Sequence, residues 1–326
     1  MDSFTNNQVI PVIDFSIENL QPDSETWMLT SKKILRALEE FGCFVANYTK
    51  VSTYLREAMF KASKDLFELP IEIKMKNISK TPYIGYVGQL PFIPLFEGLG
   101  IEDATTVKGV QSFTSTMWPS GNQFFFLRSE TSLMFSRIVA ELHYKVVRMV
   151  GENYGVEKEC QTLIASTSYH LRLLNYKLPE RDDQTNVGFI PHTDTTFMTI
   201  LHQNHVKGLE IKIKDSEEWV FVDSSPSSFV VIAGDALMAW TNGRIKSAYH
   251  RVIMRGKEER FSVGLFTFIK DILVKAPEKM VDEEHPLLFK PFDNYKLMEY
   301  LITDEAKNSN CPFNSFCGLY PSLNKK

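Results

Sequence analysis

Between about residues 168 and 271 the chain breaks into short apolar runs of even spacing. They are His170–Tyr176, Thr196–His202, Gly208–Ile213, Trp219–Val222, Ser228–Ala233, Ala236–Trp240, Ser247–Met254 and Arg260–Ile269. Turn signals such as Asp215-Ser216, Gly234-Asp235 and Asn242-Gly243 separate them. Eight such strands suggest a jelly roll, two facing antiparallel sheets with an interior between them.

The flanks read differently. Val9–Phe15 is a short β-like run. Trp27, Ile34, Leu35, Leu38 and Phe41 recur at helical spacing, and Gly42 ends that helix. Phe44-Val45-Ala46 reads as a strand, and a second helix runs from about Ser52 to Leu69, stopped by Pro70. A long helix is expected from Glu130 to about Tyr154, with Leu133, Met134, Ile138, Leu142, Val146 and Met149 as its buried stripe. His143 on it reads as a surface or satisfied histidine. Residues 81–100 have loop composition, rich in glycine, proline and aromatics. Such a loop either lines a pocket or forms a packed connection. The tail looks helical around Asn294–Glu305. The expected fold class is α+β with a mainly β core, with N-terminal and C-terminal helices packed around it.

The 326 residues suggest two domains by length alone. The pattern instead divides one compact unit into an N-terminal region 1–110, a supporting helix region 111–165, the core 166–275 and a tail 276–326. The net charge of −4 is small and mixed along the chain, with no basic stripe, so nucleic acid is not an expected partner. Lys74, Lys76 and Lys80 read as a solvated face. Residues 1–7 resemble no signal or transit peptide, and no segment reads as a membrane span. Cys43, Cys160, Cys311 and Cys317 are scattered, which fits free thiols in a reducing cytoplasm. A monomer is expected.

Two pieces carry metal-binding chemistry. His192-Thr193-Asp194 puts an imidazole and a carboxylate two residues apart, on one face if the backbone is extended. A lone His-x-Asp is weak evidence. His250 heads the β-rich run His250–Met254, and it ranks ahead of His170, His202, His205 and His285 as a second imidazole. Two imidazoles and one carboxylate form the facial set that holds non-haem Fe(II) and leaves an open side.

The last strand adds a second function. Alternation puts Arg260, Ser262, Gly264, Phe266 and Phe268 on one face, and Phe261, Val263 and Leu265 on the other. An arginine inside a barrel needs a partner. A carboxylate ligand supplies one through two parallel hydrogen bonds. An internal acid would do the same, but beside His192, Asp194 and His250 the ligand is favoured.

These segments, in this order and spacing, resemble the plant 2-oxoglutarate- and Fe(II)-dependent dioxygenases. Ile10-Pro11-Val12-Ile13-Asp14, Glu40-Phe41-Gly42-Cys43-Phe44, Pro191-His192-Thr193-Asp194, Gly234-Asp235, Trp240–Arg244, Lys246–Val252 and Arg260-Phe261-Ser262 carry the resemblance. Pro94–Glu97, Met117–Asn122 and Phe316–Leu319 are similar to the branch of alkenyl-forming glucosinolate-type dioxygenases, with auxin-oxidising dioxygenases as neighbours. The resemblance implies a double-stranded β-helix of cupin-like jelly-roll form. It implies Fe(II) on His192, Asp194 and His250, with 2-oxoglutarate and O2 as co-substrates and ascorbate as a supporting reductant. Arg260 and Ser262 would hold the distal carboxylate of 2-oxoglutarate, with Tyr176 assisting. The family's usual Asn and Pro around that tyrosine are replaced by Leu174 and Lys177.

The implied reaction is oxidation of a small specialised metabolite or hormone, coupled to decarboxylation of 2-oxoglutarate to succinate. Hydroxylation leads, with demethylation, ring closure or desaturation as other outcomes; an intact Asp194 argues against halogenation. Tyr83, Tyr86, Phe197, Phe266 and Phe268 are candidate walls of an apolar substrate pocket. Arg172 either meets an acidic group of the substrate or forms a structural ion pair. The competing readings are a zinc-dependent hydrolase, a non-catalytic cupin-like binding protein, and an iron enzyme using ascorbate in place of 2-oxoglutarate. The hydrolase gives Arg260 and Ser262 no task.

Overall fold

The computed structural model describes residues 9–17, 20–119, 121, 125–179, 186–213, 216–223 and 225–319, without the side chains of 125–128. The readings of residues 1–7, Ser120, Asn122 and Asp215 lie outside the described residues. The first half runs β1 (Val12–Asp14), α1 (Glu25–Phe41), β2 (Cys43–Asn47), α2 (Thr53–Phe67), α3 (Ile71–Lys74), β3 (Phe96–Ile101), α4 (Val107–Met117), α5 (Phe125–Tyr154) and α6 (Glu157–Ala165). The strand-rich segment holds β4 (Thr167–Tyr176), β5 (Val187–His192), β6 (Met198–Gln203), β7 (Leu209–Lys212), β8 (Trp219–Phe221), β9 (Ser228–Ala233), α7 (Asp235–Trp240), β10 (His250–Ile253) and β11 (Arg260–Ile269). A 3-10 turn (Glu278–Met280), α8 (Asn294–Leu301), α9 (Asp304–Lys307) and α10 (Pro312–Cys317) follow.

Local chemistry sets the element ends. The Ser24 hydroxyl accepts from the Trp27 amide and caps α1 (3.1 Å). Gly42 ends α1 at φ 69°, and a Cβ there would lie 2.5 Å from the Lys246 carbonyl oxygen, so a side chain is excluded twice over.

Two sheets face each other. The larger has the order β1-β2-β9-β6-β11-β4-β3, and the smaller β5-β10-β7-β8. One face of the large sheet packs against α1, α2 and α5 through Ile34, Leu38, Phe135, Leu142, Leu171, Val263 and Leu265. Its other face meets the small sheet through Leu174, Tyr176, Leu201, Leu209, Ile232 and Val252. This second interior holds the site.

Several expectations are corrected. Ala236–Trp240 is helix, not strand; Ala, Leu and Met are strong helix formers, and a short apolar run has no period to decide the matter. Phe189-Ile190-Pro191, leading into His192, belong to β5, which completes the small sheet. Residues 96–101 are the strand β3 rather than loop; Gly98 and Gly100 stand where Arg172 and the Ile84 carbonyl come too close for a Cβ. Lys74 is buried, donating to the Phe67 carbonyl (3.0 Å) and pairing with Glu97 Oε1 at 2.7 Å. On α5, Met134 is exposed, and Phe135, Val139 and Val150 join the buried stripe. His143 is buried, with Nδ1 3.1 Å from the Tyr169 hydroxyl. All four cysteines are free. No helix among the described residues is long and apolar enough to cross a membrane.

Candidate active site

β5 and β10 are antiparallel neighbours, and His192 pairs with His250 across them. β5 ends at His192, so Asp194 lies in the turn beyond it rather than on the strand. That turn folds inward, and Thr199 Oγ1 donates to Asp194 Oδ2 at 2.7 Å. Asp194 Oδ1 lies 3.6 Å from His192 Nε2 and 3.9 Å from His250 Nε2. The ligand atoms of all three residues fall within 4.8 Å of one another. Among the described residues this is the one group of three or more His, Cys, Asp or Glu so placed.

The backbone sets the imidazole tautomers. His192 Nδ1 is 2.9 Å from the Ile190 carbonyl, and His250 Nδ1 is 3.0 Å from that of Ala248. A carbonyl can only accept, so each Nδ1 carries the proton and donates. In the neutral ring Nε2 then carries the lone pair, and in both residues it faces Asp194, the arrangement a metal ligand requires. Burial and the neighbouring His192 push His250 down to about 4, so it stays neutral. Burial works to raise the Asp194 carboxyl, and the Thr199 hydroxyl donating to Oδ2 works to lower it. The donor set therefore fits a divalent iron with an open side.

Asp235 supports the turn from behind. Its amide donates to the Asp194 carbonyl (2.7 Å), and its carboxylate accepts from Thr193 Oγ1 (3.2 Å). Burial pushes its carboxyl up to about 7.

Arg260 lies deeper between the sheets and is fully buried. It pairs with Tyr176 across the β11–β4 ladder, and Ser262 pairs with Leu174. One guanidinium nitrogen donates to Gln203 Oε1 (2.7 Å) and another to Ser262 Oγ (3.3 Å). Nε has no partner. A buried guanidinium with an orphaned N–H beside a hydroxyl is an incomplete anion site, and a carboxylate completes it. Gln203 did not stand out in the sequence because its strand reads as ordinary core.

A cavity of about 340 Å³ opens at the metal group, and Arg260 and Ser262 are not among its lining residues. His192, Asp194 and His250 line it, as do Tyr176, Arg172, Tyr83, Phe266 and Phe268. Phe197 and Tyr86 do not line it. Phe197 faces the helical core beside Trp240 and His143. Tyr86 gives its hydroxyl to Glu97 at 2.6 Å and anchors the loop. The loop before β3 supplies walls the sequence left open, notably Ile84 and Phe92, and α8 adds Met298 and Leu301. Their signal was only loop composition and a helical tail; position over the cavity is set by tertiary contacts.

Two family models match: the 2OG-Fe(II) oxygenase superfamily over residues 168–269, and the N-terminal region of a non-haem dioxygenase in morphine synthesis over residues 10–92. A probable 2-oxoglutarate-dependent dioxygenase of Arabidopsis thaliana, AOP1, is 41% identical over 317 residues, covering 95% of this chain and 96% of that protein. The Arabidopsis 2-oxoglutarate-dependent dioxygenase AOP2 is 28% identical over 427 residues, covering 95% and 98%. Among solved structures, the rice dioxygenase for auxin oxidation superposes with a TM-score of 0.77 at 26% identity, covering 95% of this chain and 99% of that one. The Arabidopsis counterpart bound to 2-oxoglutarate gives 0.76 at 27%, covering 85% and 100%. Fold and relatives together define a non-haem iron oxygenase. The chain belongs to the 2OG-Fe(II) oxygenase superfamily and is a 2-oxoglutarate-dependent dioxygenase, with iron and 2-oxoglutarate as its cofactors.

Proposed function

We propose that the protein oxidises a small, largely apolar specialised metabolite or hormone, with hydroxylation as the leading outcome. His192, Asp194 and His250 hold the iron. Arg260 and Ser262 bind the distal carboxylate of 2-oxoglutarate, and Tyr176 assists. When bound, iron and 2-oxoglutarate supply the oxidising power, with decarboxylation to succinate coupled to oxidation of the substrate.

The protein's own groups do the rest. The Ile190 and Ala248 carbonyls keep both Nε2 atoms unprotonated toward the iron. Thr199 fixes the free oxygen of Asp194. Arg260 contributes a permanent charge in a dry setting, where a paired carboxylate binds more strongly than in water. Ile84, Phe266, Phe268 and Met298 exclude water and press the substrate toward the open side of the site. The observation that carries this reading is the orphaned Nε of buried Arg260, between the same two sheets as the His–Asp–His group. A zinc hydrolase has no use for that second site, and a non-catalytic cupin-like binding protein does not need the intact His–Asp–His group.

The test is untargeted. The purified protein is incubated with Fe(II), 2-oxoglutarate and plant extract, and masses shifted by oxygen gain, hydrogen loss or methyl loss are sought. A 2-oxoglutarate-dependent shift in a small metabolite is expected. Shifts that persist without 2-oxoglutarate would contradict the proposal and favour an ascorbate-driven enzyme.

A further inference from the structure

Among the described residues, Arg172 is the only lysine or arginine that lines the cavity. It lies midway along β4 on the face that carries Leu174 and Tyr176. Only 8% of its surface is exposed, yet no described residue accepts a hydrogen bond or forms an ion pair with it. The Phe266 ring centroid lies 5.9 Å from the guanidinium carbon. Burial pulls the guanidinium down to about 10.

The nearby carboxylates are committed elsewhere. Glu97 alternates with Phe96 and Gly98 on β3, so it points away from the cavity, where Lys74 and Tyr86 take it. Asp194 is engaged by Thr199 and the two imidazoles.

The backbone beside Arg172 is glycine-rich. Its cross-strand partners are Gly264 on β11 and Gly100 on β3, where the Phe266 ring and the Ile84 carbonyl fill the space a Cβ would take. A Cβ on the adjacent Gly98 would sit 2.9 Å from Arg172 Nη2. An isolated buried charge is costly to maintain. A planar fork beside a cavity suits a carboxylate bound through two hydrogen bonds. Arg172 and Arg260 occupy different positions along the β4–β11 ladder. Tyr176, which stands opposite Arg260, lies four residues along β4 from Arg172, roughly 13 Å away.

Resting on the site assignment proposed above, we infer that Arg172 receives an anionic group of the substrate, so that the substrate class is small carboxylic acids with an apolar body. The acid group docks on Arg172, and the body lies against Phe266, Phe268, Ile84 and Met298.

The experiment is anaerobic calorimetry on the Fe(II)- and 2-oxoglutarate-loaded protein. The probes are phenylacetate, cinnamate and decanoate, each beside its methyl ester. At least one acid is expected to bind roughly tenfold or more tightly than its ester, the scale of one charge-assisted pair. Arg172→Gln should erase that preference, and Gly98→Ala should weaken the acid while sparing the ester. Binding of 2-oxoglutarate to Arg172→Gln should stay within about threefold of wild type, less than one lost hydrogen bond. The inference is overturned if no acid outbinds its ester, or if the preference survives in Arg172→Gln. It is equally overturned if Arg172→Gln weakens 2-oxoglutarate as much as Arg260→Ala does, because Arg172 would then belong to the co-substrate. Failure of the wild type to bind 2-oxoglutarate at all would instead refute the underlying site assignment.

Discussion

Arg260 stands directly opposite Tyr176 in the β4–β11 ladder, with its guanidinium carbon 4.8 Å from the phenol ring centroid. The ring covers the charge from one side, while Gln203 and Ser262 hold it from others. Removing the charge should cost co-substrate affinity before anything else. Arg260→Ala is expected to weaken 2-oxoglutarate by on the order of 30-fold or more, the effect of truncating one member of a buried charge pair. Tyr176→Phe, which removes only a hydroxyl, should cost about fivefold. Titration of 2-oxoglutarate against both variants checks this; near-wild-type affinity in Arg260→Ala removes the clamp.

The metal group should fail as a unit. His192→Ala, Asp194→Ala and His250→Ala are each expected to lower retained iron by at least about tenfold, since even support residues around ligands are worth that much. Elemental analysis after anaerobic loading and desalting gives the number. Full iron occupancy in any one variant excludes that residue from the ligand set.

How much of this was legible in the sequence differs by kind of residue. His192, Asp194, His250, Arg260 and Ser262 stand in contiguous segments whose spacing is itself the signal, and the structure brings the three metal-ligand candidates together. The alternation of the last strand also held: Val263 and Leu265 face the helical core, and Phe266 and Phe268 line the cavity. Phe197 and Tyr86 misled because an aromatic near a motif has no visible facing until its strand register and loop path are known. Phe197 lies just before β6 and turns into the core, and Tyr86 is claimed by Glu97. Lys74 reads as surface because its acid, Glu97, is distant in the chain. The strand reading of Ala236–Trp240 failed where an apolar run too short to show a period folded as a helical turn.

The Lys74–Glu97 pair predicts a stability effect. Both side chains are buried, and the Tyr86 hydroxyl also binds Glu97. Glu97→Gln leaves the Lys74 charge without its counter-charge, and should cost about 3–5 kcal/mol of unfolding free energy. Urea denaturation measures it. A loss below about 1 kcal/mol would show that Lys74 reaches solvent in the variant and that the pair does not anchor the loop over the cavity.

Three buried histidines outside the metal group predict acid sensitivity. Burial lowers His143 from 6.5 to about 3, and His170 and His202 from 6.5 to about 4. Between those values and 6.5 the unfolded chain binds more protons than the folded one. Stability therefore rises with pH across that window, is complete above 6.5, and is lost as pH falls through it. The urea midpoint should drop steeply from pH 6.5 to 4, and His143→Phe should lessen the slope. A flat profile over that range would mean that these imidazoles are protonated in the folded protein.

The coupling of the two halves of the site is tested most directly by succinate release from 2-oxoglutarate, measured side by side for the wild type and Asp194→Ala. The wild type should form succinate only with Fe(II), 2-oxoglutarate and oxygen all present, and chelation of the iron should stop it. Asp194→Ala should form none above background while remaining folded. Succinate formation that is undiminished in Asp194→Ala, or that proceeds equally with zinc or without oxygen, would contradict the site proposed here.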